Sequence, residues 1–321
     1  MRIFLAPMEG VVDHFLRELL TNIGGIDVCV TEFIRVNDHV LPPKVFQRFC
    51  PELLSQCKTP SGVPVRIQLL GGKPEPIALN AARAVSIGAS AIDLNFGCPA
   101  KTVNKSDGGA CLLKTPHRLY DIIKATRQAV PAHIPVTAKM RLGFDDRSNY
   151  LDNALAAYEA GATEITVHAR SKADGYRPPA YWDALADIKQ AINIPVIANG
   201  EIWTVDDFML GRGLLSCPDL ALQIKAQQAG IDYQPMEWSA ICQMLQYFFD
   251  ATTEQYSPRH VGNRLKQWLN YLRRHYPEAQ ALFEQIKRYR TKEEIDKAMS
   301  ASISAQAKSK ATDSADFAEP I

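Results

Sequence analysis

The 321-residue chain lacks any C-x-x-C pair, and its seven cysteines (Cys29, Cys50, Cys57, Cys98, Cys111, Cys217 and Cys242) are odd in number. That pattern fits free thiols in a reducing cytoplasm better than a disulfide framework or a zinc site. No stretch approaches the roughly 18 consecutive apolar residues of a membrane span, and the apolar run after Met1-Arg2 is too short for a signal peptide. No membrane or secretory role is expected. Neither sign of charge dominates: 36 Lys+Arg stand against 35 Asp+Glu, net +1, so any affinity for a polyanion must be local. No G-x-G-x-x-G follows an early strand, which argues against a Rossmann-type dinucleotide sheet.

What is present is a hydrophobic fraction of 46%, enough to fill a core. The length predicts two domains of about 100 to 200 residues, or one barrel of about 250 with an appendage. The first two-thirds alternate short apolar or β-branched runs with helical-length segments, as expected of βα units around a parallel sheet. Eight strands are predicted: Ile3–Ala6, Val28–Phe33, Val65–Leu70, Ala91–Asn95, Val136–Met140, Glu164–His168, Pro195–Asn199 and Phe208–Leu210. Several end in polar residues (Gln68, Asn95, Lys139, His168, Asn199), and a parallel barrel builds its site from such carboxyl ends. The fold class predicted is therefore α/β, a TIM (β/α)8 barrel over 1–233, followed by a small all-helical domain over 234–300 and a disordered Ala/Ser/Lys/Asp-rich tail over 301–321. One interval breaks the rule. Residues 200–207 between the last two strands are too few for a crossover helix, which normally needs about a dozen residues.

Chemistry-bearing residues cluster at the predicted strand ends. Cys98 sits in Asn95-Phe96-Gly97-Cys98-Pro99 just past a strand, where a thiol of ordinary pKa ~8.5 is mostly protonated and can serve as a general acid. The alternative is a small buried hydrophobe; a nucleophile is disfavoured because no His/Asn pair stands ready to activate it. Lys139 and His168, flanked by apolar residues, should face the barrel mouth, and a lysine there implies an anionic ligand or a carboxylate such as Asp93 or Glu32. Gln68 can offer a donor and an acceptor to a heterocycle edge. Asn199-Gly200-Glu201 and Gly211-Arg212-Gly213 lie where barrels commonly bind phosphate. Farther on, residues 256–292 carry nine Lys/Arg and two Glu, and in Arg264-to-Arg274 the basic residues alternate with inward-facing Leu265, Trp268, Leu269 and Leu272. Such a face can track phosphates; a merely solvated basic helix is the alternative.

Together, Ala6-Pro7-Met8-Glu9-Gly10-Val11, Gln68, Asn95-x-Gly97-Cys98-Pro99, Gly108-Gly109-Ala110, Lys139-x-Arg141-Leu142-Gly143, Val167-His168-x-Arg170, Asn199-Gly200 and Gly211-Arg212-Gly213 resemble the tRNA-dihydrouridine synthases over about residues 1–300. Glu9, Arg35 and the Arg264-to-Arg273 helix resemble the bacterial subfamily that acts on uridine 16 of the D loop. The resemblance implies a flavin-dependent oxidoreductase with FMN held by Pro7, Met8, Glu9, Gln68, Lys139, His168, Asn199, Gly200, Glu201, Gly211 and Arg212. It further implies NADPH as electron donor, Cys98 as the acid that protonates C5, and Arg35, Asn95, Tyr176, Arg264, Lys266 and Arg273 as contacts to tRNA. A cytoplasmic enzyme with tRNA as substrate, no metal and no obligate protein partner is expected. The sequence departs from the family where about a dozen residues are missing between Trp203 and Gly211, a length that elsewhere houses the crossover helix. That gap predicts a displaced last strand. It leaves open a catalytically impaired relative that binds tRNA without FMN, and a reductase of free pyrimidines remains a third reading.

Overall fold

The computed structural model describes residues 1–200, 207–257 and 260–302. Among the described residues nine strands form one sheet: β1 Ile3–Leu5, β2 Val28–Val30, β3 Ile34–Arg35, β4 Val65–Leu70, β5 Ile92–Phe96, β6 Val136–Arg141, β7 Glu164–His168, β8 Val196–Asn199 and β9 Phe208–Leu210. Their order is β2-β1-β9-β8-β7-β6-β5-β4-β3, with β2 also paired to β4. Eight parallel strands thus close a ring, and β3 lies outside it, bonded to the end of β4 at Leu69 and Leu70. The predicted strand Val28–Phe33 ends at Val30; the chain leaves the ring there and rejoins the sheet at Ile34, just past the predicted end.

The expected displacement of the last strand is not observed. β9 pairs Ile3, Phe4 and Leu5 of β1 with Phe208, Met209 and Leu210, and it pairs Ala198 and Asn199 of β8 with Phe208 and Met209. The barrel closes in register despite the short connection, of which residues 201–206 lie outside the described part of the chain. The missing crossover helix, predicted for 200–207, falls largely on those residues.

Connecting helices pack apolar stripes on the barrel. Pro74–Ser86 starts with proline at a first-turn position, where the absent N–H is no loss, and buries Ile77, Ala78, Ala81 and Ala84 at helical spacing. Pro116–Ala129 does the same with Leu119, Ile122 and Ile123. Side-chain alternation along the strands divides the barrel interior into two parts. Phe4, Ala6, Val28, Val30, Ile197 and Met209 make the apolar part. On the amino-terminal side of the ring, Glu164 is paired with both Arg66 and Arg2, and Arg2 also holds Asp207 at 2.6 Å. Both guanidiniums lie 5.1 Å from the Phe4 ring, which fixes their stems over apolar surface.

Contacts divide the chain into two units: one of 1–21 with 26–211, the other of 22–25 with everything from Arg212 onward. The division therefore falls before the helices Arg212–Ser216 and Leu220–Ala229, earlier than the 233/234 boundary read from where strand patterning stops. The second unit continues with Trp238–Gln255, Asn263–Leu272, Pro277–Ile286 and a helix over 292–302. Its core joins Ile241, Leu245, Phe248 and Phe249 to Leu265, Trp268, Leu269 and Leu272, with the Phe248 and Trp268 rings edge to face at 5.2 Å. The buried Trp268 indole donates to the Leu215 carbonyl at 3.2 Å, which satisfies the polar end of its ring. The helix that begins at Pro277 ends at Ile286. The basic cluster Lys287-Arg288-Tyr289-Arg290 occupies the turn, and mutual repulsion of these charges disfavours helix continuation. Among the described residues no helix is long and apolar enough to cross a membrane, and all seven cysteines are free thiols.

Candidate active site at the carboxyl ends of the barrel strands

The Cys98 turn is held from both sides. Asn95 Oδ1 accepts the backbone N–H groups of Gly97 and Cys98, each at 2.9 Å, as an Asx-type turn does. The Cys98 carbonyl accepts from the Ala110 N–H and the Asn104 amide, each at 3.1 Å. Gly109 closes the far side at φ +69°; a Cβ there would stand 2.9 Å from the Cys98 oxygen and 3.0 Å from its Cβ. A Gly109→Ala variant is therefore expected to lose about 1–3 kcal/mol of stability and to alter the alkylation rate of Cys98, measured by thermal denaturation and iodoacetamide kinetics. Burial pushes the Cys98 thiol up, and Glu9 adds to this, against the opposing influence of the Ala100 backbone and the charges of Arg141 and Arg35. The thiol stays protonated at neutral pH, the state a proton donor needs.

Behind the turn runs a chain of bonds across three strands. Asn95 Nδ2 donates to Gln68 Oε1 at 2.7 Å, Gln68 Nε2 donates to Asp93 Oδ2 at 2.7 Å, and Thr137 Oγ1 donates to Asp93 Oδ1 at 2.5 Å. Burial pushes the Asp93 carboxyl up, while the bonds from Thr137 and Gln68 hold it down. As an acceptor at both oxygens, Asp93 fixes which way the Gln68 amide points, and Gln68 then fixes Asn95. Sequence reading missed Asp93 and Thr137 as members of this chain. The signal was available in the period of two: Asp93 and Asn95 share a face of β5, and register sets Gln68 beside Asp93 and Asp93 beside Thr137.

Next to this chain lies the lysine. Lys139 Nζ donates to Asn199 Oδ1 at 2.8 Å, and Asn199 Nδ2 donates to the Met209 carbonyl at 2.8 Å. Neither Asp93 nor Glu32 takes up the ammonium, since Asp93 bonds to Gln68 and Thr137, and Glu32 to the Gly10 N–H. Burial, aided by the Arg141 charge and opposed by Asp93, lowers Lys139 to about 8. A half-buried ammonium so destabilised is a site for an anion. His168 is buried at the end of β7, 6.0 Å centroid to centroid from Tyr176, which is 54% exposed. Gly200, at φ +136°, brings backbone beside the imidazole; a Cβ on it would stand 3.7 Å from His168 Cδ2. Arg141, also buried, binds the Gly97 carbonyl at 2.9 Å and the Ser171 and Gly175 carbonyls at 3.1 and 2.9 Å, so it ties the cysteine turn to the loop carrying Tyr176.

At the end of β1 the Met8 carbonyl accepts from the Val11 and Val12 N–H groups at 3.0 and 2.9 Å, a tight turn that leaves Pro7 and Met8 half-buried and Glu9 exposed. Gly211 adjoins it: an added Cβ would lie 3.6 Å from Ala6 Cβ and 3.7 Å from Met8 Sδ. The barrel unit thus assembles Pro7, Met8, Gln68, Asn95, Cys98, Lys139, His168, Asn199, Gly200 and Gly211 on strands or strand ends. Arg212 is exposed and belongs to the second unit, and Glu201 lies outside the described residues. Of the predicted tRNA contacts, Arg35 reaches the Thr102 carbonyl at 3.2 Å, and both ends of the Asn95 amide are engaged within the protein. In the second unit Arg264 bonds to Gln267, and Lys266 Nζ donates to the Tyr289 carbonyl at 2.6 Å. Arg273 is exposed beside Phe283, with its guanidinium carbon 4.8 Å from the ring centroid. Burial lowers the Lys266 pKa, as does Arg290, against Glu294.

The donor set suits a flavin mononucleotide. A lysine with lowered proton affinity awaits negative charge, and glycines at the ends of β8 and β9 leave backbone accessible to a phosphate, while the amide of Gln68 is engaged at both ends by Asp93 and Asn95. Among the described residues no group of three His, Cys, Asp or Glu is placed to hold a metal.

The model of the dihydrouridine synthase family matches residues 4–310. A protein of Pseudomonas putida named tRNA-dihydrouridine(16) synthase is 53% identical over 300 residues, covering 90% of this chain and 93% of its own. Proteins of the same name from Shewanella oneidensis and Escherichia coli are 50% and 46% identical, over 92% and 94% of this chain and 96% and 98% of theirs. Among solved structures, an old yellow enzyme homologue from Zymomonas mobilis superposes with a TM-score of 0.50 at 10% identity, covering 73% of this chain and 90% of that one. A 2-naphthoyl-CoA reductase gives 0.52 at 13%, covering 70% of this chain and 50% of that one, and both likenesses show the barrel fold alone. Matched by the family model over nearly its whole length and by relatives at about half identity, the chain belongs to the dihydrouridine synthase family.

Proposed function

We propose that this protein reduces uridine 16 in the D loop of tRNA to 5,6-dihydrouridine, with FMN as cofactor and NADPH as electron donor, in the cytoplasm and without an obligate protein partner. The observation that carries the reading is the Cys98 thiol, kept protonated by burial and fixed by Asn95 beside a lysine-bearing strand. The position within tRNA rests on relatives named for that activity.

FMN would be held by Pro7, Met8, Glu9, Gln68, Lys139, His168, Asn199, Gly200, Glu201, Gly211 and Arg212. When bound and reduced, it supplies a hydride to C6 of the uracil ring. The protein supplies the rest. Cys98 gives its proton to C5, so one hydride and one proton together saturate the C5–C6 bond; the thiolate left behind regains a proton from solvent, which its raised proton affinity favours. Lys139 stabilises negative charge on the group it faces, and the Asp93–Gln68–Asn95 chain keeps the acid in place. The uridine must leave its stack to enter a barrel mouth, so Arg35, Tyr176, Arg264, Lys266 and Arg273 are proposed as contacts that hold the RNA. Asn95 is assigned to the cysteine turn in addition to any contact with the base.

A tRNA binder without flavin drew its support from a displaced last strand, and β9 is paired on both sides. The deciding measurement is the visible spectrum of the purified protein, followed by incubation with unmodified tRNA and NADPH and mapping of dihydrouridine. Bound FMN near one per chain and product at position 16 are expected; a colourless protein that cannot be reconstituted and makes no product overturns the proposal.

A further inference from the structure

On the barrel unit, in the segments that follow the carboxyl ends of β5, β6 and β7, a groove of about 520 Å³ is lined by ten residues, five of them cationic and one acidic. The cations are Lys101, Lys105, Lys114, Arg118 and Lys172; the acid is Asp107. The acid is spent within the protein: Arg118 grips both Asp107 oxygens at 2.6 Å, which holds that carboxyl below the usual range. Lys114 is paired with Asp145 at 2.8 Å. Lys101, Lys105 and Lys172 form no ion pair among the described residues. Lys101 and Lys105 stand four residues apart on the short helix Lys101–Lys105, a like-charge spacing that disfavours the helix unless an anion lies between them.

We infer that this groove docks the sugar-phosphate backbone of the tRNA strand carrying the target nucleotide, an inference that rests on the tRNA reading above. Charge, and not base identity, is what the groove recognises. The one aromatic residue in its lining, Phe144, has the Lys114 and Lys172 ammoniums 4.2 and 4.4 Å from its ring centroid. The ring positions cations and offers no bare platform for a base, which disfavours a dinucleotide with an adenine to stack. The volume falls in the range of ~300–1,000 Å³ that takes extended ligands, more than a lone phosphate needs. The groove is also wired to the acid. Asn104 lines it, and its side chain donates to the Cys98 carbonyl at 3.1 Å and the Ala100 carbonyl at 2.7 Å while accepting the Cys111 N–H at 2.7 Å. Backbone phosphates held by Lys101 and Lys105 therefore bind the segment that positions Cys98, and docking the strand presents the base to its proton donor.

The test is a K101Q/K105Q/K172Q protein compared with wild type and with a charge-matched K44Q/K58Q/K189Q protein whose lysines lie outside the groove. Dissociation constants for unmodified tRNA are measured across a potassium chloride series. Each lost phosphate contact lowers the slope of log K against log salt by about 0.7 to 0.9. The groove variant is expected to lower it by about 2 and to weaken binding at least tenfold at low salt, with melting temperature, flavin content and KM for NADPH unchanged. The control variant is expected to change the slope by less than half as much. Equal slopes in all three proteins overturn the inference, as does a raised KM for NADPH with tRNA affinity intact, which reassigns the groove to the dinucleotide. The arms separate this claim from the proposed function: binding decides the groove, and product formation by the wild type decides the reaction.

Discussion

Replacing Cys98 by alanine is expected to slow dihydrouridine formation by about 10²- to 10⁴-fold, the contribution of a positioned general acid, with the cofactor still bound and still reduced by NADPH. The expectation follows from what the thiol can and cannot do. Burial raises its proton affinity, so it is a poor thiolate nucleophile and a persistent acid. Its turn is fixed by two bonds to Asn95 and two to its own carbonyl, so the alanine variant keeps the backbone and loses only the proton. The sign of the pH dependence follows too. With the proton affinity raised, the acid form persists through neutrality, and the chemical step should hold its rate until pH exceeds the ordinary thiol range and decline above it. Single-turnover measurements with pre-reduced enzyme isolate that step, and a Cys98→Ser protein, a weaker acid of nearly the same size, should fall between the two. An alanine variant as fast as wild type would remove Cys98 from the reaction.

Much of this site is legible in the residues because a parallel barrel imposes two simple rules: strand ends carry the site, and alternate residues share a face. Gln68, Lys139, His168 and Asn199 were placed by those rules, and each lies on a strand or strand end of the barrel. What was not legible depends on partners distant in sequence. Asp93 looked like a possible ion-pair partner for Lys139; only strand register shows that it faces Gln68 and Thr137, leaving the lysine to an amide. The short stretch before β9 predicted a displaced strand, yet sheet bonding to β1 holds Phe208–Leu210 in place from the other side. Register with a neighbour distant in sequence overrode a local length argument. The basic groove was invisible for a related reason: Lys101, Lys105, Lys114, Arg118 and Lys172 are spread over 72 residues of sequence and two connecting segments, with no motif in common.

Lys139→Met is expected to act in opposite directions on stability and function. The lysine is lowered to about 8 in the folded protein, against about 10.4 in an unfolded chain. Below pH 8 both states are protonated, and the folded state bears the full burden of a desolvated charge. Between pH 8 and about 10.4 the unfolded chain holds more protons, so the stability of the flavin-free protein should rise with pH across that window and level off above it. At about 1.4 kcal/mol per tenfold change in proton affinity, the burden at pH 7 is at most about 3 kcal/mol, less what partial exposure and the bond to Asn199 return. Methionine removes the charge at nearly the same length, so the flavin-free variant should be about 1–2 kcal/mol more stable at pH 7 and should lose the pH-dependent rise. Function should move the other way. Without the cation, affinity for FMN should fall and dihydrouridine formation should drop by about 10²- to 10³-fold, the scale of removing one preorganised electrostatic partner. In wild type, binding of an anionic group opposite Lys139 raises its proton affinity, so FMN binding near pH 8 to 9 should take up protons, and affinity should weaken as pH rises through that range. Denaturant melts of the flavin-free proteins from pH 7 to 10.5, with flavin titrations in two buffers of different ionisation enthalpy, measure both. A variant destabilised at pH 7, or a wild-type flavin affinity flat from pH 7 to 9.5, would mean that Lys139 is not held in the strained, cation-bearing state from which its role is argued.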